Sequence, residues 1–460
     1  SQRWCRENFP PWENLSGQGA NWPAALDEPV FPLAQVPLAG LLPPESAAEA
    51  MPLLDADEFE APLLYSPLED GYLVINGDPH AGPCGLLVRN LLLRALTALP
   101  AGKTQLCVID PSGLGSDYGW LMHLGDFDPQ LVSHRVWTQP GHIAQQLSQL
   151  AMAAEDFIQQ ALRNQYRTIV EYNREAGALA EPYRFLVWSS FPNGLEEASW
   201  KSLLSLLESG ARCGIISILI VDPKSSWPTE EVRQRVDGGG LHVTWDATEE
   251  RLIARAEAIA QCPLRLTDCP DDETARQVVH EVGRRAVLAH RVEVPLAGML
   301  PPEEERWQGD SSLALSIPIG QSGVGRTHCL TLGLGTAQHA IIAGKTGSGK
   351  SSLLHAIISS AALKYSPQRL RLVLLDFKKG VEFQVYSDAR LPHADIIGIE
   401  SHREFGLSAL EFVDGCMQRR GEMFRQGGVQ DLASWNAMHP QQVLPRMLIV
   451  IDEFQEMFIE

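Results

Sequence analysis

The chain has no long apolar runs, no clustered cysteines and little positive charge, the features typical of membrane, metal-binding and nucleic-acid-binding proteins respectively. Its 460 residues contain no apolar run near the ~18 residues that a membrane helix needs. Eight cysteines are scattered without a CxxC pair or a Cys/His cluster at zinc spacing, which disfavours a metal or disulfide framework and fits reduced thiols in a cytosolic setting. Positive charge is scarce, because 37 Lys and Arg face 57 Asp and Glu, for a net charge of −20. This excludes a surface that attracts nucleic acid everywhere, but not a local basic patch.

The rest of the composition is that of a globular protein, and the length predicts two or three domains. An internal repeat supports this division, since Val36–Glu45 (VPLAGLLPPE) returns as Val294–Glu303 (VPLAGMLPPE), 258 residues later. A period of domain size predicts a duplicated domain rather than a solenoid. Later landmarks recur in the same order at spacings of 263 to 267 residues: Gly77–Cys84 with Gly344–Ser351, Gln105–Asp110 with Arg371–Asp376, and Arg184–Phe191 with Met447–Phe454.

Each unit alternates short apolar runs with longer helical stretches such as Ser351–Lys364 and Glu404–Arg425. That alternation predicts an α/β fold with a parallel sheet. The run His339–Ala343 (HAIIA) is predicted to be a short buried strand. The chain starts with Ser1 rather than Met and ends soon after an acidic pair, so we expect a piece of a longer protein whose second sheet is incomplete. The predicted boundaries are a lead-in over residues 1–60, a first domain over 61–290, a second lead-in over 291–335 and a second domain over 336–460.

A glycine-rich segment, GKTGSGKS, matches the phosphate-loop pattern GxxxxGK[ST] and precedes an apolar helix. Its glycines allow a tight turn in which the backbone N–H groups point toward a bound phosphate. The N-terminal end of the following helix carries partial positive charge, which also favours phosphate. The sequence therefore predicts a site for ATP and Mg²⁺, with Lys350 on the β- and γ-phosphates and Ser351 on the metal. The alternative is a glycine-rich turn before a core helix. The predicted nucleotide-binding residues are Gly344, Lys345, Thr346, Gly347, Ser348, Gly349, Lys350, Ser351 and Ser352.

A second candidate element is the acidic pair Asp452 and Glu453 at the end of an apolar strand. Carboxylates there are costly unless they have a cation or a task. We expect Asp452 to hold Mg²⁺ through water and Glu453 to polarise the attacking water, so Lys350 and Glu453 are the predicted catalytic residues. Two solvated residues at a strand end are the alternative. Asp376, which ends the preceding strand-like run, either supports Lys350 and Mg²⁺ or caps a turn.

The first unit lacks these groups. Pro83 and Cys84 stand where the second unit has its lysine and serine, and Ser189 and Ser190 stand where it has its acidic pair. Proline also removes a backbone N–H donor. We therefore expect the first unit not to hydrolyse ATP, while weak nucleotide binding stays open because glycines remain in the loop. His80 in this loop is predicted to be structural.

The N-terminal stretch carries Trp4, Trp12 and Trp22 among prolines. Two interpretations are open, namely an arm that binds a partner and a lead-in that packs against the first domain.

Several motifs together resemble those of the FtsK/SpoIIIE family of P-loop motor ATPases. The resemblance covers the chain from about Ser316 to its end, and about Tyr72–Asp222 in degenerate form. It implies tandem RecA-like P-loop NTPase domains, the first degenerate, and an oligomeric ring, usually a hexamer, that moves a polymer. The tandem layout is particularly similar to the multi-domain ATPase of type VII secretion. The matching segments are Ile317–Gly320 (IPIG), His339–Ser352 (HAIIAGKTGSGKSS), Leu372–Phe383 (LVLLDFKKGVEF), Leu391–Ser401 (LPHADIIGIES) and Met447–Phe458 (MLIVIDEFQEMF).

The function that we expect from the resemblance is an ATP-driven ring translocase, with double-stranded DNA as the commoner substrate of the family. A protein substrate in a secretion apparatus is the first alternative, and a nucleotide-gated scaffold or switch is the second. A protein partner docked on the degenerate first domain is compatible with all three. The expected location is the cytoplasm, with membrane association only through segments outside this chain.

Overall fold

A computed structural model describes residues 2–16, 22–37, 60–80, 82–133, 135–163, 165–255, 263–267, 269–289, 295–321, 324, 326–345, 347–377, 382–399 and 403–457. The chain divides into two compact units, Ser1–Val292 and Glu293–Glu460.

In the first unit, nine strands of the described residues form one sheet, in the order β2-β1-β9-β8-β7-β3-β6-β5-β4. The five strands from β7 to β4 are parallel, whereas β8, β9, β1 and β2 extend the sheet in antiparallel fashion. The strands are β1 (Phe31–Pro37), β2 (Glu60–Tyr65), β3 (Leu73–Asn76), β4 (Thr104–Ile109), β5 (Tyr183–Phe191), β6 (Ile215–Val221), β7 (Leu241–Asp246), β8 (Arg251–Arg255) and β9 (Pro263–Leu266).

Helices cover both faces of the parallel part of this sheet. Side chains alternate along each strand, so Leu73 and Ile75 of β3 enter one core and Val74 enters the other. Burial on both faces explains why β6 is a continuous apolar run. The helices are α1 (Gln2–Asn8), α2 (Pro67–Asp70), α3 (Pro83–Ala98), α4 (Gly119–Met122), α5 (Pro140–Phe157), α6 (Ile169–Ala176), α7 (Trp200–Ser209), α8 (Glu230–Asp237) and α9 (Asp272–Ala289). The first core includes α3 and α9, and the second includes α5 and α7.

The N-terminal arm packs against the first unit, as one of the two interpretations of its tryptophans predicts. Trp12 is only 4% exposed, and the Arg94 guanidinium of α3 lies 3.7 Å from the centre of its ring. Arg94 also donates a 2.8 Å hydrogen bond to the carbonyl oxygen of Pro10. In a similar way, the Arg285 guanidinium lies 4.2 Å from the centre of the Trp22 ring. The packing interpretation is therefore confirmed for these residues.

The second unit contains a parallel sheet in the order β13-β12-β14 and an antiparallel hairpin, β10-β11. Alternate residues of β12 again enter different cores, one with α10 and one with α12. The strands are β10 (Leu315–Gln321), β11 (Thr327–Leu332), β12 (Leu370–Asp376), β13 (Ala394–Gly398) and β14 (Arg446–Asp452). The helices are α10 (Lys350–Lys364), α11 (Gln384–Asp388), α12 (Arg403–Gln426) and α13 (Leu432–Met438).

The two units share the landmarks that the internal repeat predicts. The helices α3 and α10 begin 267 residues apart, at Pro83 and Lys350. The strand ends of β5 and β14 also share an unusual backbone, because Ser190 has φ 57° and Glu453 has φ 51°. Non-glycine residues rarely adopt this left-handed conformation. The same local strain at matched positions supports a duplicated domain.

The predicted strand over His339–Ala343 is wrong, because these residues form no strand and Ile341 is 82% exposed. The first unit gives the physical reason. Its corresponding strand β3 pairs with β6 and β7, both of which follow β5 in the chain. Among the described residues of the second unit, no strand pairs with residues 339–343. An apolar run that has no neighbouring strand cannot form the backbone hydrogen bonds of a β-sheet.

Candidate functional site

The glycine-rich loop of the second unit leads directly into α10. Gly349 caps this helix with φ 90°, and Gly347 has φ 83°, both in the region that favours glycine. Gly344, Lys345 and Ser348 are exposed beside them, as is Ser352 in the first turn of the helix. The loop therefore presents the N-terminal end of a 15-residue helix to solvent, which suits an anion. Thr346, also predicted to bind nucleotide, lies outside the described residues.

The side chain of Lys350 joins the loop to the acidic pair. Its Nζ lies 2.7 Å from Glu453 Oε1 and 3.0 Å from Asp452 Oδ1. The hydrogen bond that the Lys350 ammonium donates to Glu453, and then its interaction with Asp452, raise the pKa of this ammonium above its usual value. The structure thus brings together the three charged residues that the sequence singled out from distant segments.

Sheet topology explains this meeting. The strands β12 and β14 are parallel neighbours, and Asp376 is paired with Asp452 in their register. Carboxyl ends of parallel strands lie at one edge of a sheet, where ligands of α/β proteins bind. Asp452 is 4% exposed, and its Oδ1 accepts a 3.0 Å hydrogen bond from the amide of Glu453. A carboxylate this buried needs a cationic partner, which makes the alternative of two solvated residues untenable.

Asp376 has a turn-capping contact. Its Oδ2 accepts a 3.2 Å hydrogen bond from the amide of Glu382, across the loop that follows β12. This contact is compatible with the capping alternative, and both roles of Asp376 stay predictions.

Sequence reasoning missed two residues at this site. Glu382 accepts a 3.1 Å hydrogen bond from the Ser351 hydroxyl, and Gln455 donates one to Glu453 Oε2. Both lie inside segments that carry the family resemblance, Leu372–Phe383 and Met447–Phe458, but no spacing rule marks them. That membership is the one signal in the sequence that pointed to them.

The oxygen atoms near the start of α10 fit a hard divalent cation. Magnesium prefers oxygen ligands and is usually held by one or two carboxylates together with substrate phosphates. Ser351 and Asp452 provide a hydroxyl and a carboxylate of this kind. Within the described ranges, no three His, Cys, Asp or Glu side chains converge into a metal cage. The residues present thus suit a metal that arrives with a nucleotide.

A different network of side chains lies at the corresponding place in the first unit. His80 Nδ1 lies 2.7 Å from Asp117 Oδ2, and its Nε2 lies 3.4 Å from the hydroxyl of Ser190. The hydrogen bond with Asp117 raises the pKa of His80. Cys84 is fully buried, and burial raises the pKa of its thiol to about 11. His80 thus ties the loop to a strand end without a lysine, in line with the structural role predicted for it.

The fold and this site define the class of protein: an α/β protein of the P-loop NTPase fold with two repeated domains, the first degenerate. Residues 302–459, which make up most of the second unit, match the model of the FtsK/SpoIIIE family. Within the part of the chain that is described, no helix combines the length and apolar character needed to cross a membrane.

Relatives with two different named activities are similar to this chain. The ESX secretion system protein YukB of Bacillus subtilis is 30% identical over 178 residues, which cover 37% of this chain and 12% of that protein. The DNA translocase FtsK of Clostridium tetani is 32% identical over 149 residues, covering 32% of this chain and 19% of that protein. The chain therefore spans less than a fifth of the length of either relative.

Among solved structures, EssC (ATPases 2 and 3) from Geobacillus thermodenitrificans aligns with 95% of this chain and 86% of its own, at 16% identity and a TM-score of 0.41. Such a score is too low to establish a shared fold by itself. The fold of this chain is defined by its own strand order and by the family match of its second unit.

Proposed function

We propose that the second unit binds ATP with Mg²⁺ at residues 344–352 and hydrolyses it. The observation that carries this proposal is the contact of the Lys350 ammonium with Asp452 and Glu453, across 103 residues of sequence. It unites a phosphate loop, a buried carboxylate and a strand-end glutamate, the three parts that phosphoryl transfer to water requires.

Each side chain has a task that its position suits. Lys350 exchanges its carboxylate partners for the β- and γ-phosphates when nucleotide binds, which releases Glu453. The freed carboxylate orients water and accepts its proton, a role worth roughly 10²- to 10⁴-fold in rate. Ser351 and Asp452 hold Mg²⁺, which supplies neutralisation of the phosphate charge when it is bound.

We further propose that hydrolysis moves a polymer through an oligomeric ring, a hexamer by family resemblance. Double-stranded DNA is the first candidate substrate, because DNA translocases of the family are among the similar proteins. An exported protein is the second candidate. Two observations favour it: the net charge of −20 repels a polyanion, and the ESX secretion protein is about as similar as the DNA translocase.

The first unit is proposed to regulate or dock rather than hydrolyse. It lacks the lysine and both acidic residues, and His80 occupies its loop. A cavity of about 640 Å³ opens beside this loop, lined among others by His80, Arg89 and Trp120. A protein partner or a weakly bound nucleotide is compatible with these groups.

The test is the ATPase rate of the protein with and without linear double-stranded DNA, at low and at moderate salt. Glu453→Gln removes the proposed base. Glu456→Gln is the matched control, because it makes the same change at an exposed position three residues later. We expect Glu453→Gln to lose about 10²- to 10⁴-fold in kcat while still binding nucleotide, and the control to match wild type.

The ATPase rates measured with and without DNA distinguish the candidate substrates. A DNA motor is stimulated by DNA, and the stimulation collapses between about 50 and 200 mM salt. Hydrolysis that depends on Glu453 but ignores DNA supports the protein substrate. Slow turnover without any polymer response supports a nucleotide-gated switch. Hydrolysis unchanged in Glu453→Gln contradicts the proposed active site.

A further inference from the structure

The hydroxyl of Ser351, the predicted Mg²⁺ ligand on α10, has a partner that no motif assigns to the site. It donates a 3.1 Å hydrogen bond to Glu382 Oε1, from the loop between β12 and α11. A serine hydroxyl has one proton to donate and two lone pairs. Donation to Glu382 therefore leaves the lone pairs of Ser351 available to a cation.

The position of Glu382 is fixed by its own backbone and by the next residue. Its amide donates to Asp376 Oδ2 at 3.2 Å, which ties the loop to the end of β12. Phe383 is fully buried in the core that contains Leu354 and Ile358 of α10. The backbone of Glu382 is thus held near the start of α10 by two independent anchors.

The second oxygen of Glu382 is also engaged. His355 Nε2 lies 3.4 Å from Oε2, and His355 Nδ1 lies 2.8 Å from the hydroxyl of Tyr386 in α11. His355 follows Ser351 by four residues, so both side chains lie on one face of α10. The network therefore orients the carboxylate from both sides and joins α10 to α11.

Charge adds to orientation. Glu382 places a carboxylate beside the Ser351 hydroxyl, and Asp452 and Glu453 place theirs beside the neighbouring Lys350. Negative charge near Ser351 favours the approach of a divalent cation. Groups that hydrogen-bond a metal ligand set its orientation and strength as a ligand, and removing them typically costs about 10- to 100-fold in metal affinity.

We propose that Glu382 is a positioning residue of the Mg²⁺ site, which holds Ser351 ready for the metal and so sets how much Mg²⁺ strengthens nucleotide binding. This inference rests on the proposed ATPase function, because the metal arrives with the nucleotide.

The test measures the Kd of the fluorescent nucleotide MANT-ATP twice for each variant, in excess Mg²⁺ and in EDTA. Glu382→Gln keeps the acceptor oxygen but removes the charge, whereas Glu382→Ala removes both. Glu411→Gln is the matched control, an exposed glutamate on α12. We expect the Mg²⁺-dependent gain in affinity to fall about 10-fold in Glu382→Gln and more in Glu382→Ala, with the Kd in EDTA unchanged.

Two results would overturn the inference. One is a Mg²⁺-dependent gain in Glu382→Gln within about twofold of wild type, well short of the expected loss. The other is an equal loss of affinity in EDTA and in Mg²⁺, or a matching drop in Tm, because either shows a structural role. Failure of the proposed nucleotide site gives a different result. In that case Lys350→Ala binds MANT-ATP as tightly as wild type, whatever the effect of the Glu382 variants.

Discussion

Replacing Lys350 by methionine is predicted to destabilise the second unit even without nucleotide. The change removes the ammonium but keeps most of the aliphatic length. It leaves the carboxylates of Asp452 and Glu453 side by side, with side chains only 5% and 16% exposed. Both contacts of the ammonium are short, at 3.0 and 2.7 Å, so little water lies between the charges.

The size of the effect follows from burial. Breaking a fully buried ion pair by removing one partner costs about 3–5 kcal/mol. The lysine side chain is 23% exposed, so we expect roughly 2–4 kcal/mol here. Because the pKa of Lys350 is raised above its usual 10.5, this stabilisation is fully present below that pH. It is lost as the pH rises through the raised pKa, where wild type and variant converge.

Hydrogen exchange of the β12 and β14 amides is the assay, because it reports local opening in a chain of two units. The expected free-energy change corresponds to about 30- to 700-fold faster exchange. Lys345→Met is the matched control, since it removes a lysine from an exposed position of the same loop. Adding Asp452→Asn and Glu453→Gln to the Lys350 variant should restore protection. Protection unchanged by Lys350→Met, or not restored in the triple variant, would refute the reasoning.

Two further predictions concern the first unit. His80→Gln should lower its stability at pH 5.5 but not at pH 9, because the raised pKa of His80 stabilises the fold below about 6.5 and that contribution is lost as the pH rises through the folded value. Thermal unfolding at the two pH values checks this, and an equal loss at both pH values would contradict it. Arg94→Met should loosen the N-terminal arm by about 2–4 kcal/mol, mainly through loss of the charged hydrogen bond to Pro10 and of the cation–π contact with Trp12. Limited proteolysis of the arm measures this, and unchanged cleavage would count against it.

The sequence was most informative where function and local structure coincide. The phosphate loop could be identified because its glycines and its lysine are contiguous, and Gly347 and Gly349 do adopt the backbone that glycine allows. The strands β4, β5 and β12 could be placed because buried parallel strands are continuous apolar runs. The strand β14 carries a similar apolar run, although Ile449 in it is exposed. The repeat then linked each element to its counterpart.

The sequence failed where an outcome depended on a partner elsewhere in the chain. An apolar run such as His339–Ala343 becomes a strand only when neighbouring strands accept its hydrogen bonds. The apolar pattern alone therefore predicted a strand that the structure does not contain at these residues. The contribution of Glu382 was hidden because it depends on a side-chain contact across 31 residues. No periodicity or spacing encodes such a contact.

By itself, the sequence predicted the class of chemistry: which residue types suit phosphate and metal, which unit carries them and which lacks them. These are properties of residue type and order, and they need no fold to be read. The tertiary structure alone decided which charges meet. Parallel pairing of β12 with β14 set Asp452 beside Asp376 and within reach of Lys350, and the anchors of Glu382 turned its carboxylate toward Ser351. Electrostatic interactions act through space over a few ångströms, so only the folded chain fixes them.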